Sequence, residues 1–390
     1  MNDRVPYLAS RLQGFGTTIF AEMSALAVET GAINLGQGFP DSDGPREVSD
    51  AAIEAIRTGQ NQYPPGMGIP DLRLAVTEHQ RRFWQLEFDP QSEVLITAGA
   101  TEAITAALVA LCEPGDEVVT FDPSYDSYRA AAAIAGATLR VVPLEPPTYA
   151  FAPAALQGAV NPRTRLVLLN SPHNPTGKVF SREELTAVAE VCLTHDLIAV
   201  TDEVYEHLVF DSSHVPLATL PGMAERTLTI SSGGKTFSFT GWKVGWACGP
   251  ADLVAAVRTV KQFLTYVNAA PFQPAMAVGL RLDDSYFEEL SADLAHKRDV
   301  LCDGLAAAGL EVYRPAGTYF VTVDIRPVGE ADGMQFCRAL PHRCGVVAVP
   351  NMVFYETPER GRHLVRFAFC KQVQVLEEAS ERLKSLGARG

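Results

Sequence analysis

Lysine is the scarce cation of this chain, with seven lysines against twenty-five arginines. Two of the seven, Lys235 and Lys243, fall within one short stretch, Ser231-Ser-Gly-Gly-Lys-Thr-Phe-Ser-Phe-Thr-Gly-Trp-Lys-Val-Gly-Trp246. Apolar and glycine neighbours can pull the pKa of a lysine amine down, which suits it to Schiff-base chemistry with a carbonyl compound. The preceding run Thr227-Leu-Thr-Ile230 reads as a buried strand, so Lys235 stands just beyond a strand end. Composition alone favours a plain surface lysine at a strand–loop junction, and the rest of the chain has to decide.

The elements that would position Lys235 are legible as short, nearly continuous apolar runs. They cover 94–97, 117–121, 138–142, 165–169, 197–201, 227–230 and 244–248, and alternate with helical stretches at 101–112, 124–135, 181–195 and 251–266. This alternation predicts an α/β fold with a doubly wound, mostly parallel central sheet. Further helices are expected over 18–29, 46–58 and 69–85. Beyond a long amphipathic helix at 285–308 the pattern changes: strands at 318–324, 346–350 and 364–369, with helices at 332–342 and 373–386. The expected division is a large domain over 45–280 and a smaller α+β domain built from both termini, 1–44 and 281–390.

Ligands of open α/β sheets gather at the C-terminal ends of the strands. After 94–97 comes Ala98-Gly99-Ala100-Thr101-Glu102, a small-residue turn whose backbone N–H groups could meet a phosphate, as many βα turns could. After 117–121, Tyr125 and Tyr128 sit near the sheet edge, where Tyr125 could stack on a flat ring or simply pack. After 165–169, Asn170-Ser-Pro-His173-Asn174-Pro-Thr-Gly177 is a rigid polar turn. Asp202 closes the next strand, and a buried acid there calls for a cation or a protonated ring nitrogen.

One explanation covers all these strand ends: an aromatic cofactor with a phosphate, a protonated nitrogen and an aldehyde for Lys235. Asn174-Pro-Thr-Gly177, Asp202-Glu-Val-Tyr205 and Ser232-Gly-Gly-Lys235…Gly241-Trp-Lys243-Val-Gly245 occur in order. The set resembles the class I/II pyridoxal-phosphate aminotransferases of fold type I over essentially the whole chain. Leu35-Gly-Gln-Gly-Phe-Pro-Asp41 and Asn61-Gln-Tyr63 resemble the subgroup of kynurenine, glutamine and methionine aminotransferases. Phe20-Ala-Glu-Met-Ser-Ala-Leu26, Pro172-His-Asn-Pro175, Val204-Tyr-Glu-His-Leu-Val-Phe210 and Gly222-Met-Ala-Glu-Arg226 resemble actinobacterial N-succinyldiaminopimelate aminotransferases.

The resemblance implies that Lys235 holds pyridoxal 5'-phosphate covalently and then shuttles a proton. It implies that Asp202 keeps the ring nitrogen protonated, that Tyr205 and Asn174 hydrogen-bond the ring's phenolic oxygen, and that Tyr125 stacks on the ring. The phosphate falls to Ala100, Thr101, Ser232 and Lys243, with Tyr63 arriving from a second subunit, which makes the expected assembly a homodimer with shared sites. Arg366, in Leu364-Val-Arg-Phe367, is the match for the arginine that grips the substrate α-carboxylate, beside the backbone of Gly38. Even apart from the family, an arginine in an apolar strand wants an anionic partner.

The implied reaction moves an amino group between an L-amino acid and a 2-oxo acid such as 2-oxoglutarate, with N-succinyl-LL-2,6-diaminopimelate as the expected donor in lysine biosynthesis. The alternatives are kynurenine, glutamine or methionine transamination, or a cysteine-conjugate β-lyase. A non-catalytic regulator module is disfavoured by the absence of a leading DNA-binding pattern. Where kynurenine-type relatives place an aromatic pair that reaches the pocket from the neighbouring subunit, just before Pro271, this chain reads Asn268-Ala-Ala270, and Phe20 stands where they carry tryptophan, so a wider side-chain pocket is expected. A succinylated donor asks for a second basic anchor; His173, Arg129 and Lys261 are candidates that read equally as surface or turn residues.

Bulk properties agree. A net charge of −14 argues against nucleic acid. No apolar run is long enough to span a membrane, and the opening Met1-Asn-Asp-Arg-Val-Pro6 lacks a signal layout. Seven scattered cysteines without Cys-x-x-Cys spacing read as reduced core residues of a cytoplasmic protein, with no metal site.

Overall fold

The computed structural model describes residues 7–16 and 18–389. Met1 to Pro6, on which the reading of the N-terminus rests, lie outside the described residues, as does Thr17. Seven strands form the main sheet: β1 (Val94–Thr97), β2 (Glu117–Asp122), β3 (Thr138–Pro143), β4 (Thr164–Asn170), β5 (Ile198–Asp202), β6 (Thr227–Ser232) and β7 (Gly245–Cys248). Their order is β1-β7-β6-β5-β4-β2-β3. All pairings are parallel except those of β7, which runs antiparallel between β1 and β6.

The apolar runs are nearly continuous because both faces of the sheet are covered. Along β4, Leu166 and Leu168 enter one core while Val167 and Leu169 enter the opposite one. The first core takes Ala103, Ile104 and Ala107 of the helix Gly99–Leu111 and Val254 and Val257 of Ala251–Leu264. The second takes Leu185 and Val188 of the helix Arg182–Thr194, which Ser181 and Glu184 start with a reciprocal capping box. A third cluster joins the β1–β7 edge, through Ile96 and Trp246, to the helices Arg46–Arg57, Pro70–Trp84 and Phe272–Leu280.

A further sheet is built from β8 (Glu311–Tyr313), β9 (Phe320–Asp324), β10 (Val349–Pro350) and β11 (Leu364–Ala368), antiparallel throughout, in the order β10-β11-β9-β8. Its core draws in Met23 and Leu35 from the N-terminal part. The expected strand over 346–350 is broken at Ala348. Val346–Val347 pairs in parallel with Ile33–Asn34, while Val349–Pro350 joins β11. One run of small apolar residues thus serves two sheets, which periodicity alone does not show.

The row Thr97–Gly245–Ser232 crosses three strands at the functional end of the sheet. Gly245 is packed so closely there that an added Cβ would stand 2.7 Å from the carbonyl carbon of Gly99. Backbone cannot swing aside as a side chain can, so Gly245→Ala is expected to cost about 1–3 kcal/mol as overpacking. An unchanged urea unfolding midpoint for that variant would contradict the close approach.

Candidate active site

The C-terminal ends of β1, β4, β5 and β6 converge with residues from the smaller sheet on a cavity of about 320 Å³. Lys235 lines it from the one-turn helix Gly233–Thr236, which follows β6 directly. Its Nζ lies 3.5 Å from the Gly38 carbonyl oxygen and over the rings of Tyr205 and Tyr319 at 5.9 and 5.6 Å. Desolvation pulls the amine's pKa down to about 8, against weaker upward pulls from Cys370 and Asp202. A surface lysine is therefore not what stands at 235.

Asp202 is the last residue of β5 and is buried. Its carboxylate accepts a 2.6 Å hydrogen bond from the Tyr128 hydroxyl and a long one, 3.4 Å, from the Val204 N–H. Burial raises its pKa to about 6, and the Tyr128 hydrogen bond opposes that rise. Next door at the end of β4, the Asn170 amide donates to the Asp202 carbonyl at 2.8 Å and accepts from the Asn174 N–H at 2.7 Å. These bonds fasten the Asn174 turn to the Asp202 strand end.

Arg366, from β11, is 1% exposed and among the described residues forms no ion pair. It donates to Asn174 Oδ1 at 2.8 Å and to the Gly36 carbonyl at 3.2 Å, while its Nε is buried without a partner. Rings hold the guanidinium in place, Phe320 at 3.8 Å, Phe354 at 4.8 Å and Phe20 at 5.3 Å. Desolvation lowers its pKa to about 10. Because the Asn174 amide oxygen accepts from Arg366, its NH2 group remains as the donating end. Gly38 must lack a side chain, since a Cβ would stand 2.5 Å from Cζ of Phe320.

Ala100, Thr101, Ser232 and Lys243 line the same cavity around the start of the helix Gly99–Leu111. The Lys243 ammonium lies against Gly99, 3.1 Å from where a Cβ there would be. Backbone N–H groups at a helix start, a hydroxyl and an ammonium suit a phosphate. Tyr125 lines the cavity from the position just before the helix Asp126–Ala135, and Phe20 lines it from the helix Ile19–Thr30.

Tyr63 is not brought into this cavity: it is 80% exposed and packs edge-on against Tyr266 at 5.4 Å. Nor are the three candidate basic anchors. Lys261 is buried 3.8 Å from Glu102, His173 bonds Thr176 Oγ1 at 2.7 Å, and Arg129 pairs with Glu356 at 2.6 Å. Sequence reasoning passed over Tyr319 and Phe320, whose strand carried no chemical signal, and gave Tyr128 no role.

These groups fit pyridoxal phosphate on their own terms. A buried carboxylate meets a hydroxyl rather than a cation, a desolvated amine faces the cavity, and a buried guanidinium retains an unpartnered N–H.

Comparisons with known proteins agree with this reading. The family model described as aminotransferase class I and II matches residues 30–383. A probable N-succinyldiaminopimelate aminotransferase of Mycobacterium tuberculosis is 52% identical, covering 97% of this chain and 98% of the relative. The solved structure of that enzyme from the same species superposes with a TM-score of 0.95 over 97% of this chain and 100% of its own. The methionine aminotransferase of Escherichia coli is 40% identical over 97% of this chain and 98% of its own. Kynurenine–oxoglutarate transaminase 3 of Mus musculus is 36% identical over 96% and 89%.

The lowered amine pKa has a direct consequence. In cofactor-stripped protein, trapping of a small aldehyde on Lys235 with a hydride reductant, read by peptide mass spectrometry, should rise as pH passes about 8. A rise only near the ordinary value of 10.5 would show that Lys235 is solvated.

Proposed function

The chain belongs to the class I and II aminotransferases and is a pyridoxal-phosphate-dependent transaminase; we propose that its amino donor is N-succinyl-LL-2,6-diaminopimelate and its acceptor 2-oxoglutarate. The observation that carries the donor is the 52% identity to the M. tuberculosis enzyme across nearly the full length of both chains. Methionine or kynurenine transamination is the second reading, favoured by relatives at 40% and 36% identity.

When bound, the cofactor supplies a carbonyl that condenses with amines and a ring that takes up the electron pair left when Cα loses its proton. The residue roles follow from the side chains in place. Lys235 Nζ, whose pKa burial lowers to about 8, would in its free-base form take the Cα proton and deliver it to the cofactor's C4′. Asp202 holds a proton on the ring nitrogen by opposite charge. Tyr205 and Asn174 donate to the ring's phenolic oxygen, and Tyr125 covers a ring face. Ala100 and Thr101 at the helix start, with Ser232 and Lys243, bind the phosphate. Arg366 and the Gly38 backbone take the substrate α-carboxylate, with Phe20 beside the guanidinium.

The proposal includes a homodimer, supported by the exposure of Tyr63, Phe263, Leu264 and Tyr266 and by Tyr63 standing outside its own cavity. It also keeps the division into a large domain over 45–280 and a small one from 1–44 and 281–390. The core that joins Met23 and Leu35 to the C-terminal part supports this division. Cytoplasmic residence agrees with seven free, buried cysteines, and no described helix is long and apolar enough to cross a membrane.

Two measurements test these assignments. Among N-succinyl-diaminopimelate, methionine, kynurenine and glutamine, each with 2-oxoglutarate, the succinylated donor should show the highest kcat/KM; preference for another donor overturns the substrate. Arg366→Ala should raise KM for the donor about tenfold to a hundredfold, the worth of a charge-assisted hydrogen bond of roughly 1.5–3 kcal/mol. Its cofactor content should stay near one per chain, and loss of cofactor instead of affinity would reassign Arg366.

A further inference from the structure

We propose that Tyr128 is a positioning residue for the cofactor, its hydroxyl orienting the Asp202 carboxylate and holding it ionised toward the ring nitrogen. This rests on the pairing of Asp202 with that nitrogen and adds a side chain that acts through another.

Tyr128 lies in the first turn of the helix Asp126–Ala135, three residues after Tyr125, whose ring it meets edge-on at 5.8 Å. Its own ring is 1% exposed. The 2.6 Å contact to Asp202 Oδ2 falls in the range of a hydroxyl donating to an ionised carboxylate. Burial pushes the phenol's pKa well above its ordinary value, so the hydroxyl keeps its proton and serves the carboxylate as a donor.

Among the described residues only one other group hydrogen-bonds the Asp202 side chain, the Val204 N–H at 3.4 Å to Oδ1. A bond that long restrains orientation weakly. The remaining titratable groups that feel Asp202 come from three directions. Lys235, from the one-turn helix after β6, favours the ionised form, and Glu203, next in the chain, disfavours it. Tyr125 and Tyr205 sense its charge without bonding it. One short bond therefore both aims the carboxylate and offsets the burial that pushes it toward the neutral form.

Removing a hydrogen bond to a charged group moves the carboxyl's pKa up by about one to two pH units. Uptake of pyridoxal phosphate by cofactor-stripped enzyme, followed by absorbance and equilibrium dialysis across the acid side of neutrality, reads this directly. Asp202→Asn first identifies the part of the acid-side loss of affinity that belongs to the carboxylate. Tyr128→Phe should then move that limb up by about one to two pH units. 3-Fluorotyrosine at position 128 is nearly isosteric, and its more acidic hydroxyl should move the limb down.

An even drop in affinity with an unmoved limb in both variants would make Tyr128 a packing residue and overturn the proposal. Should the phenylalanine variant not fold, the fluorinated variant decides alone. An Asp202→Asn profile identical to that of the wild type would instead sink the pairing of Asp202 with the ring nitrogen, a separate failure.

Discussion

Desolvated charge is the constraint on which this structure depends. Lys235, Asp202 and Arg366 line one cavity, and burial moves each toward its neutral form, to about 8, 6 and 10. Isolated ions in such a place are costly, and a buried charge is retained only where partners answer it. Here the fold supplies partial answers: a hydroxyl for Asp202, an amide and a carbonyl for Arg366, aromatic faces for both cations. The substrate carboxylate and the cofactor's protonated nitrogen are of the charge type each group still accepts. Burial that would be a liability in a structural protein is thus matched to an anionic, ring-bearing ligand pair.

The segment carrying Asp202 and Tyr205 is anchored by the residues that alternate with them. Glu203 receives His214 at 2.8 Å, and Glu206 accepts from Ser231 at 2.6 Å and Trp84 at 2.5 Å. His207 meets His79 nitrogen to nitrogen at 2.7 Å. Desolvation lowers the pKa of His79 to about 3 and of His207 well below its ordinary value, so both rings are neutral and one N–H can donate to the other's bare nitrogen. Asp202 is held from two sides as a result: the helix bearing Tyr128 over the carboxylate, and this buried polar cluster under the backbone. His79 Nδ1 and His214 Nδ1 remain buried without a partner, so the cluster fixes geometry through the bonds just named and not through complete satisfaction.

Much of this was legible in the sequence, for a physical reason. Parallel strands covered on both faces must be apolar throughout, so their seven runs stand out, and polar residues just after them can only be turns or ligand contacts. Lys235, Asp202 and Arg366 drew attention because each adjoins or interrupts an apolar run, whereas Asn174 sits in a polar turn, and the roles of all four came from the family resemblance and not from their setting. Tyr128 was harder to assign, because a tyrosine three residues from another reads as ordinary helix packing. The split of 346–350 between two sheets was hidden, since Val346 and Val349 have the same chemistry and differ only in what lies beside them. The fates of Lys261 and His173 were likewise invisible: their partners Glu102 and Thr176 are settled by the fold rather than by charge pattern.

The loop Asn268-Ala-Ala270 is tied to the scaffold of the site by one side chain. Asn268 Nδ2 donates to the Thr97 carbonyl at 3.0 Å and to the Lys243 carbonyl at 3.3 Å, while Asn268's own carbonyl receives Gln273 at 2.7 Å. Thr97 ends β1 and Lys243 borders the cavity, so this one amide ties the loop to the same strand end that leads into the helix Gly99–Leu111. A phenyl ring at position 268 would offer neither carbonyl a donor. Asn268 therefore acts on the site through the backbone it staples, since its side chain is not among those lining the cavity.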